Sequence, residues 1–132
     1  MNRALMLLVA LAGTLAACSS RTEEPILSGF FNASRLRDRT ALQKLATTSF
    51  DPARDGIITS FDITGVATSQ ARGRVTKEVS ISAPVKLPNG QTLQKNLVVT
   101  LERDVSGDGR VAPRWIVTAI RDAAEPLSPP PR

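Results

Sequence analysis

Val75-Thr76-Lys77-Glu78-Val79-Ser80-Ile81-Ser82-Ala83-Pro84-Val85-Lys86 and Thr92-Leu93-Gln94-Lys95-Asn96-Leu97-Val98-Val99-Thr100-Leu101 decide the fold. In the first run Val75, Val79, Ile81, Ala83 and Val85 alternate with Thr76, Glu78, Ser80, Ser82 and Lys86. In the second, Leu93, Leu97, Val99 and Leu101 keep the same period of two. Such alternation marks strands with one face on a core and the other toward water. Asn89-Gly90 between the runs would by itself suit a two-residue turn. That register sets odd residues of one run opposite even residues of the other. Directly paired residues share a face, so the two apolar sets would part. A three-residue loop, Pro88-Asn89-Gly90, pairs Val85 with Leu93, Ile81 with Leu97 and Val79 with Val99. It also puts Pro where a type I turn wants it and Gly at the left-handed position. The spacing therefore predicts a hairpin with the three-residue loop.

Working outward, Ile57, Phe61 and Ile63 mark an earlier strand and Val111 to Arg121 a later one, giving about four in all. Upstream, Pro25 to Ala46 has helical spacing. Ile26, Phe30 and Ala33 fall on one stripe with Leu27 and Phe31 beside it, as a half-buried helix requires. Pro25 suits a first-turn position. A break is expected near Leu36, after which Asp38 caps a second short helix that turns Leu42 and Leu45 to the core. Phe50 and Pro52 end the helical region. The expected class is α+β, an N-terminal helix pair packed on a curved antiparallel sheet. No internal repeat is present.

This order, with Phe30-Phe31-x-Ala33 in the first helix, Asp38-x-x-x-Leu42 in the second and Arg114-Trp115-Ile116-Val117 on the last strand, resembles the NTF2-like, cystatin-like α+β fold from about Glu24 to Asp122. The resemblance implies a sheet wrapped around the first helix around a conical pocket, which different members use for binding, catalysis or dimer formation. Fold alone therefore does not give function. The chain lacks the extra helix that often closes the pocket, and it lacks the family's His. No Asp-His or Asp-Tyr set carries over, which argues against a steroid-isomerase-like or cyclase-like enzyme.

The chain opens Met1-Asn2-Arg3, runs apolar from Ala4 to Ala12, then reads Gly13-Thr14-Leu15-Ala16-Ala17-Cys18. One positive charge, a short apolar stretch and small residues before a cut site compose a secretory signal. The apolar run falls short of the roughly 20 residues a membrane span needs. Leu15-Ala16-Ala17-Cys18 resembles the lipobox of bacterial lipoproteins. That resemblance implies cleavage before Cys18, lipid on its thiol and acylation of the new amine. The expected location is the bacterial cell envelope, with the membrane as a partner through the lipid on Cys18. Ser19 fits sorting to the periplasmic face of the outer membrane where there are two membranes. The expected organisation is a signal peptide over 1–17, a lipidated N-terminus and tether over 18–24, one domain over 25–122, and a Pro-rich disordered tail over 123–132.

Removing the first 17 residues from the 132-residue chain leaves 115, enough for one domain with a core. The whole chain carries 17 basic and 12 acidic side chains, so losing Arg3 with the signal leaves 16 against 12. The basic residues are spread along the chain, which suits a solvated surface or weak attraction to anionic head groups. With no Tyr and no dense basic stripe, nucleic acid is not expected as a partner. There is no His, so the commonest general base and zinc ligand and any Ser-His-Asp triad are absent. Cys18 is the only cysteine, and lipidation would consume it. No catalytic residue, metal site or cofactor is expected. Asp104-x-Ser106-x-Asp108-Gly109 resembles the first half of an EF-hand loop, but the twelfth position is Trp115 rather than Glu, and a polar turn is the better reading.

Lys77 and Lys95 are the candidate ligand-binding residues. Both fall on the apolar phase of their strands, where a charge is costly unless it reaches water or a partner. Each either points into a pocket toward an anionic ligand or snorkels from the sheet margin. Arg35, Arg37 and Arg39 surround the expected helix break, as a solvated face beside Asp38 or as a contact for anionic lipid or envelope polymer. Ile58, Val66, Val98, Ile116 and Ile120 lie on the opposite phase and could form a homodimer or partner surface or ordinary exposed surface. Asp62 has its phase opposite to Phe61 and Ile63 and points outward. The leading expectation is a non-catalytic, membrane-anchored binding or interaction domain, with an envelope protein or a small ligand as partner. A carboxylate-dependent enzyme acting on a small hydrophobic substrate and a structural, dimerising envelope protein are the alternatives.

Overall fold

The computed structural model describes residues 20–104 and 114–123 of the chain. Its centre is the hairpin of β3 (Arg74–Lys86) and β4 (Thr92–Asp104), in the expected register. Val85 lies opposite Leu93, Ile81 opposite Leu97 and Val79 opposite Val99. The Gln91 carbonyl accepts from the Leu87 amide at 2.7 Å, closing a three-residue loop in which Gly90 has φ of +87°. A left-handed residue at that point is what lets the loop keep both apolar sets on one face.

The remaining strands are β1 (Ile57–Ile58), β2 (Asp62–Ala71) and β5 (Ile116–Asp122); the five strands pair antiparallel, and Ala46 adds a single parallel bridge to Val117. β1 and β2 share one edge of β3, β1 at residues 85–86 and β2 at 74–82. Pro84, which has no N–H to donate, falls in the gap between those two pairings. β5 lies along the other side of β4. Among the described residues the sheet has five strands, in keeping with the about four expected, one of those being divided. The single strand expected from Ile57 to Ile63 is broken at residues 59–61, and β2 continues through Thr64 to Ala71. That continuation is mostly polar and exposed, so hydrophobic alternation does not announce it. It returns to β3 through a tight turn at Arg72 and Gly73, with φ of 53° and 74°.

Two bulges change the face assignments. Thr64 is the extra residue between Ile63, opposite Ile81, and Gly65, opposite Ser80. Thr118 is the extra residue between Val117, opposite Leu101, and Ala119, opposite Thr100. One inserted residue moves every following side chain to the other face. Val66 therefore lies opposite Val79 and Ile120 opposite Val99, both on the core side. Ile58, opposite Val85, is also in the core. Three of the five residues expected on a second apolar face belong to the first. Val98, itself buried, and Ile116 remain on the outer one.

α1 (Ser20–Leu36) crosses the concave face, and α2 (Arg39–Leu45) follows it. Helix begins at Ser20, not at Pro25, so residues 20–24, expected to be a tether, form the opening turns. The buried stripe of α1 is Glu23, Leu27, Phe30, Phe31 and Ser34 with Ala33, one step around from the expected one; Ile26 is only half-buried. Burying each of Leu27, Phe30 and Phe31 contributes about 1.5–3 kcal/mol of transfer free energy. They pack on Val79, Ile81, Val85, Val99, Leu101 and Val117. α1 ends at Leu36 in a reciprocal cap. The Asp38 amide donates to the Ala33 carbonyl at 2.9 Å and the Arg37 amide to the Ser34 carbonyl at 3.2 Å, with Arg37 left-handed at φ 55°. Asp38 caps α2 as expected, its Oδ1 accepting from the Ala41 amide at 3.1 Å. The chain after α2 then joins the sheet edge, where the Thr47 amide donates to the Val117 carbonyl at 2.9 Å. The architecture is α+β, two N-terminal helices on a curved antiparallel sheet in NTF2-like, cystatin-like topology.

Candidate functional site

The concave face has two ends, and the structure puts Lys77 at one and Lys95 at the other. Lys77 lies opposite Leu101, and Lys95 lies opposite Ala83, six residues farther along β3. At ~3.3 Å per residue the two are on the order of 20 Å apart along the strands. They do not form one site.

At the first end α1 covers the sheet. Lys77 Nζ donates to Glu23 Oε1 at 2.6 Å, and the side chains are 18% and 2% exposed. The ammonium also sits 4.8 Å from the Trp115 ring centre, and the Arg103 guanidinium is 4.7 Å from the same ring. A cation against an aromatic face gains electrostatic attraction from the ring quadrupole. Glu23 Oε2 and Arg103 Nε are buried without a hydrogen-bond partner. Lys77 is thus a buried ion-pair partner, and what it holds is the start of α1. Sequence reading missed Glu23 because Pro25 was placed in the first turn, which left Glu23 outside the helix. Its spacing of four before Leu27 and seven before Phe30 was the available signal.

At the second end the helix has passed and the sheet is open. A groove of about 330 Å³ is lined by Phe50, Leu87, Leu97 and Ile120 beneath and Arg54, Asp55, Lys95, Arg121 and Asp122 around it. Phe50 reaches it from the segment after α2 and belongs to an aromatic cluster centred on Phe31. Phe31 is 5.3 Å from Phe30, 5.5 Å from Phe50 and 5.8 Å from Phe61, ring centre to ring centre. This cluster fills the middle of the face and separates the two ends.

Asp51, Arg54 and Asp55 form a tight turn beside the groove. The Asp55 carboxylate accepts from the Asp51 amide at 2.9 Å and from Arg54 Nη2 at 2.8 Å. Burial alone would push the Asp55 carboxyl up. The Arg54 hydrogen bond, the Asp51 amide and the charges of Arg54 and Lys95 outweigh it and leave the group below its usual value. The same hydrogen bond with Asp55, then its charge, raises the Arg54 guanidinium. Lys95 therefore acts electrostatically on a carboxylate across the groove while staying half-exposed. Gly56, next in the chain, has φ of +98°, and a Cβ there would meet the Lys86 carbonyl oxygen at 2.7 Å. That close approach fixes the turn against the end of β3.

A smaller hollow of about 250 Å³ lies between α1 and β1, lined by Ser28, Phe31, Asn32, Arg35, Ile58, Thr59 and Phe61. Arg35 Nη2 donates to Asn32 Oδ1 at 2.8 Å across its rim. Asp62 is exposed, opposite Ser82, and faces away from the core. Cys18 and most of the Asp104–Gly109 motif lie outside the described residues. Among the described residues no three His, Cys, Asp or Glu side chains gather where a metal could bind, and no helix is long and apolar enough to cross a membrane. No protein family, curated protein or solved structure matches this chain, so its likeness to NTF2-like folds is one of topology.

Proposed function

We propose that this protein is a lipid-anchored lipoprotein of the bacterial cell envelope whose domain binds rather than catalyses. The observation that carries the anchor is Leu15-Ala16-Ala17-Cys18 after a short apolar run, two residues before the first helical position. An acyl chain contributes about 0.8 kcal/mol per buried methylene, and two chains hold a protein stably. Ser19 fits sorting to the periplasmic face of the outer membrane in a cell with two membranes. For the mode of action, the interior supports binding at an open surface. Leu27, Phe30, Val79, Val85 and Val99 leave the middle of the concave face packed, each at 0% exposure. What stays open is the groove beside Lys95, with an apolar floor and a charged rim. It suits a small amphipathic ligand with an anionic end, or an extended segment of an envelope protein. Glu23 is the described acid buried most deeply, but Lys77 already occupies it and it lines neither the groove nor the hollow.

Native mass spectrometry of the protein extracted from membranes tests both parts. The expected spectrum shows a chain beginning at Cys18 with the mass of acyl groups added, and a further small-molecule mass that Lys95→Met loses. A full-length unacylated chain would overturn the anchor. A lipidated chain that stays bare in gentle detergent, and whose Lys95→Met form retains every partner, would overturn the groove.

A further inference from the structure

We infer that the outer face of α1 lies on the membrane and that Arg35, Leu36, Arg37 and Arg39 dock on anionic lipid head groups. This rests on the lipoprotein reading and adds a second, non-covalent contact to it.

The geometry begins with the anchor. Only Ser19 separates Cys18 from Ser20, the first residue of α1. Two Cα steps span at most about 7 Å, so a lipid on Cys18 holds that end of the helix at the head groups. The 17 residues of α1 then run on the order of 25 Å to Leu36. The exposed positions of α1 include Pro25, Ser28, Asn32, Arg35 and Leu36; Ser28, Asn32 and Arg35 also border the hollow toward β1, which places them on the flank of the helix, with Pro25 and Leu36 farther out. The only acid on the exposed positions of α1 is Glu24, at the anchored end. Anchor and Arg35 thus stand at opposite ends of α1, with Arg37 in the cap that follows it and Arg39 opening α2.

The helix end itself is built for a charged, wet boundary. Leu36 is 60% exposed, the most exposed large hydrophobic residue of the described chain, and arginines flank it on both sides. Arg37 occupies the left-handed cap position that Gly usually takes, at φ 55°. That conformation, required by the cap, costs a side-chain-bearing residue about 1–2 kcal/mol. Arg37 and Arg39 form no ion pair among the described residues. Asp38, between them in the chain, accepts from the Ala41 amide, and Asp51, which lines the same hollow as Arg37 and Arg39, accepts from the Ala53 amide; neither forms an ion pair with them. An exposed apolar side chain next to guanidinium groups that hold no ion pair complements phosphate head groups above an apolar layer.

The test uses the full lipidated protein with an environment-sensitive nitrobenzoxadiazole dye on Leu36→Cys. Lipidation leaves this the only free thiol, since Cys18 is the only native cysteine. The protein is reconstituted in phosphatidylcholine vesicles with and without one quarter phosphatidylglycerol. The expected result is a blue-shifted, brightened dye in the anionic vesicles alone, reversed by high salt. At about fivefold per basic side chain, Arg35→Gln, Arg37→Gly and Arg39→Gln together lower the docked-to-free ratio roughly a hundredfold. Gly suits the position of Arg37, so folding is not put at risk. Equal dye spectra with and without phosphatidylglycerol, or a shift that the triple variant keeps, overturns the docking. Where the mass of the chain shows no acyl groups, the anchor reading fails by itself. Cosedimentation of the unlipidated chain with the anionic vesicles then still decides the arginines. Protection of the dye by an acidic polysaccharide but not by the vesicles also overturns the proposal.

Discussion

At one end of the concave face Lys77 is covered by α1, bonded to Glu23 and set against Trp115. At the other Lys95 borders an open groove and acts on Asp55 only through its charge. Both lysines stand on the core side of the same hairpin, Lys77 between Thr68 and Leu101 and Lys95 beside Ala83 alone, past the end of β5. The difference comes from the helix above. α1 begins over Lys77 and its aromatic residues are spent on the middle of the sheet, so Lys95 is left to the segment between α2 and β1. Strand phase says which face a charge is on; only the covering layer says whether it is structural or available.

Removing one partner of the covered pair should have the largest effect. Lys77→Met leaves the Glu23 carboxylate buried and unpaired, and loss of one member of a buried pair costs about 3 kcal/mol or more. For a domain of this size that is a fall in melting temperature on the order of 15 °C. Glu23→Leu combined with Lys77→Met should recover most of the loss, because a well-packed apolar pair is often as stable as a buried ionic one. Thermal unfolding of the wild type, the single and the double variant checks both statements. A single variant as stable as the wild type would remove the distinction between the two ends.

Much of the fold was legible because several signals agreed. The hairpin register followed from phase and loop length together, and Asp38 marked the second helix through its own chemistry. The phase argument failed at Thr64 and Thr118, where a bulge adds one residue without any change in residue type that would announce it. Val66 and Ile120 were misassigned for that reason. The sealed end was hidden by Pro25, which sits inside α1 although a first-turn position would suit it better. The open end was hidden for a different reason. Its walls, Phe50, Asp55, Leu87, Lys95 and Asp122, come from distant stretches and meet only after the bulged strands have bent the sheet.

The second effect is smaller and of opposite sign. At the tip of the β2–β3 hairpin, near the sealed end, Arg72 holds φ of 53°. Arg72→Gly relieves that strain, partly offset by the greater freedom of Gly in the unfolded chain, for a net gain of about 0.5–1 kcal/mol. Denaturant unfolding with an unchanged slope and a higher midpoint is the expected record. At the open end, Lys95→Met should move stability by no more than about 0.5 kcal/mol, as for an ordinary surface position. Equal and large losses from Lys77→Met and Lys95→Met would mean that the groove is closed in solution.

The smallest effect lies in the pH dependence of the open end. The Asp55 carboxyl is held below its unfolded value, so it adds stability that is fully present above that value, near 3.8, and is lost as pH falls through the lower folded value. Asp55→Asn keeps the shape and an acceptor oxygen for the Asp51 amide but removes the charge that Arg54 and Lys95 favour. The variant should therefore be less stable than the wild type at neutral pH, and the two unfolding curves should converge once pH has fallen through the lowered folded value. Because Arg54 is two-thirds exposed, the difference should shrink as salt is added. Adding Lys95→Met to Asp55→Asn should then cost less than Lys95→Met does alone. Without that coupling, Lys95 would not act on Asp55, and its charge would be free for a ligand at no cost to the fold.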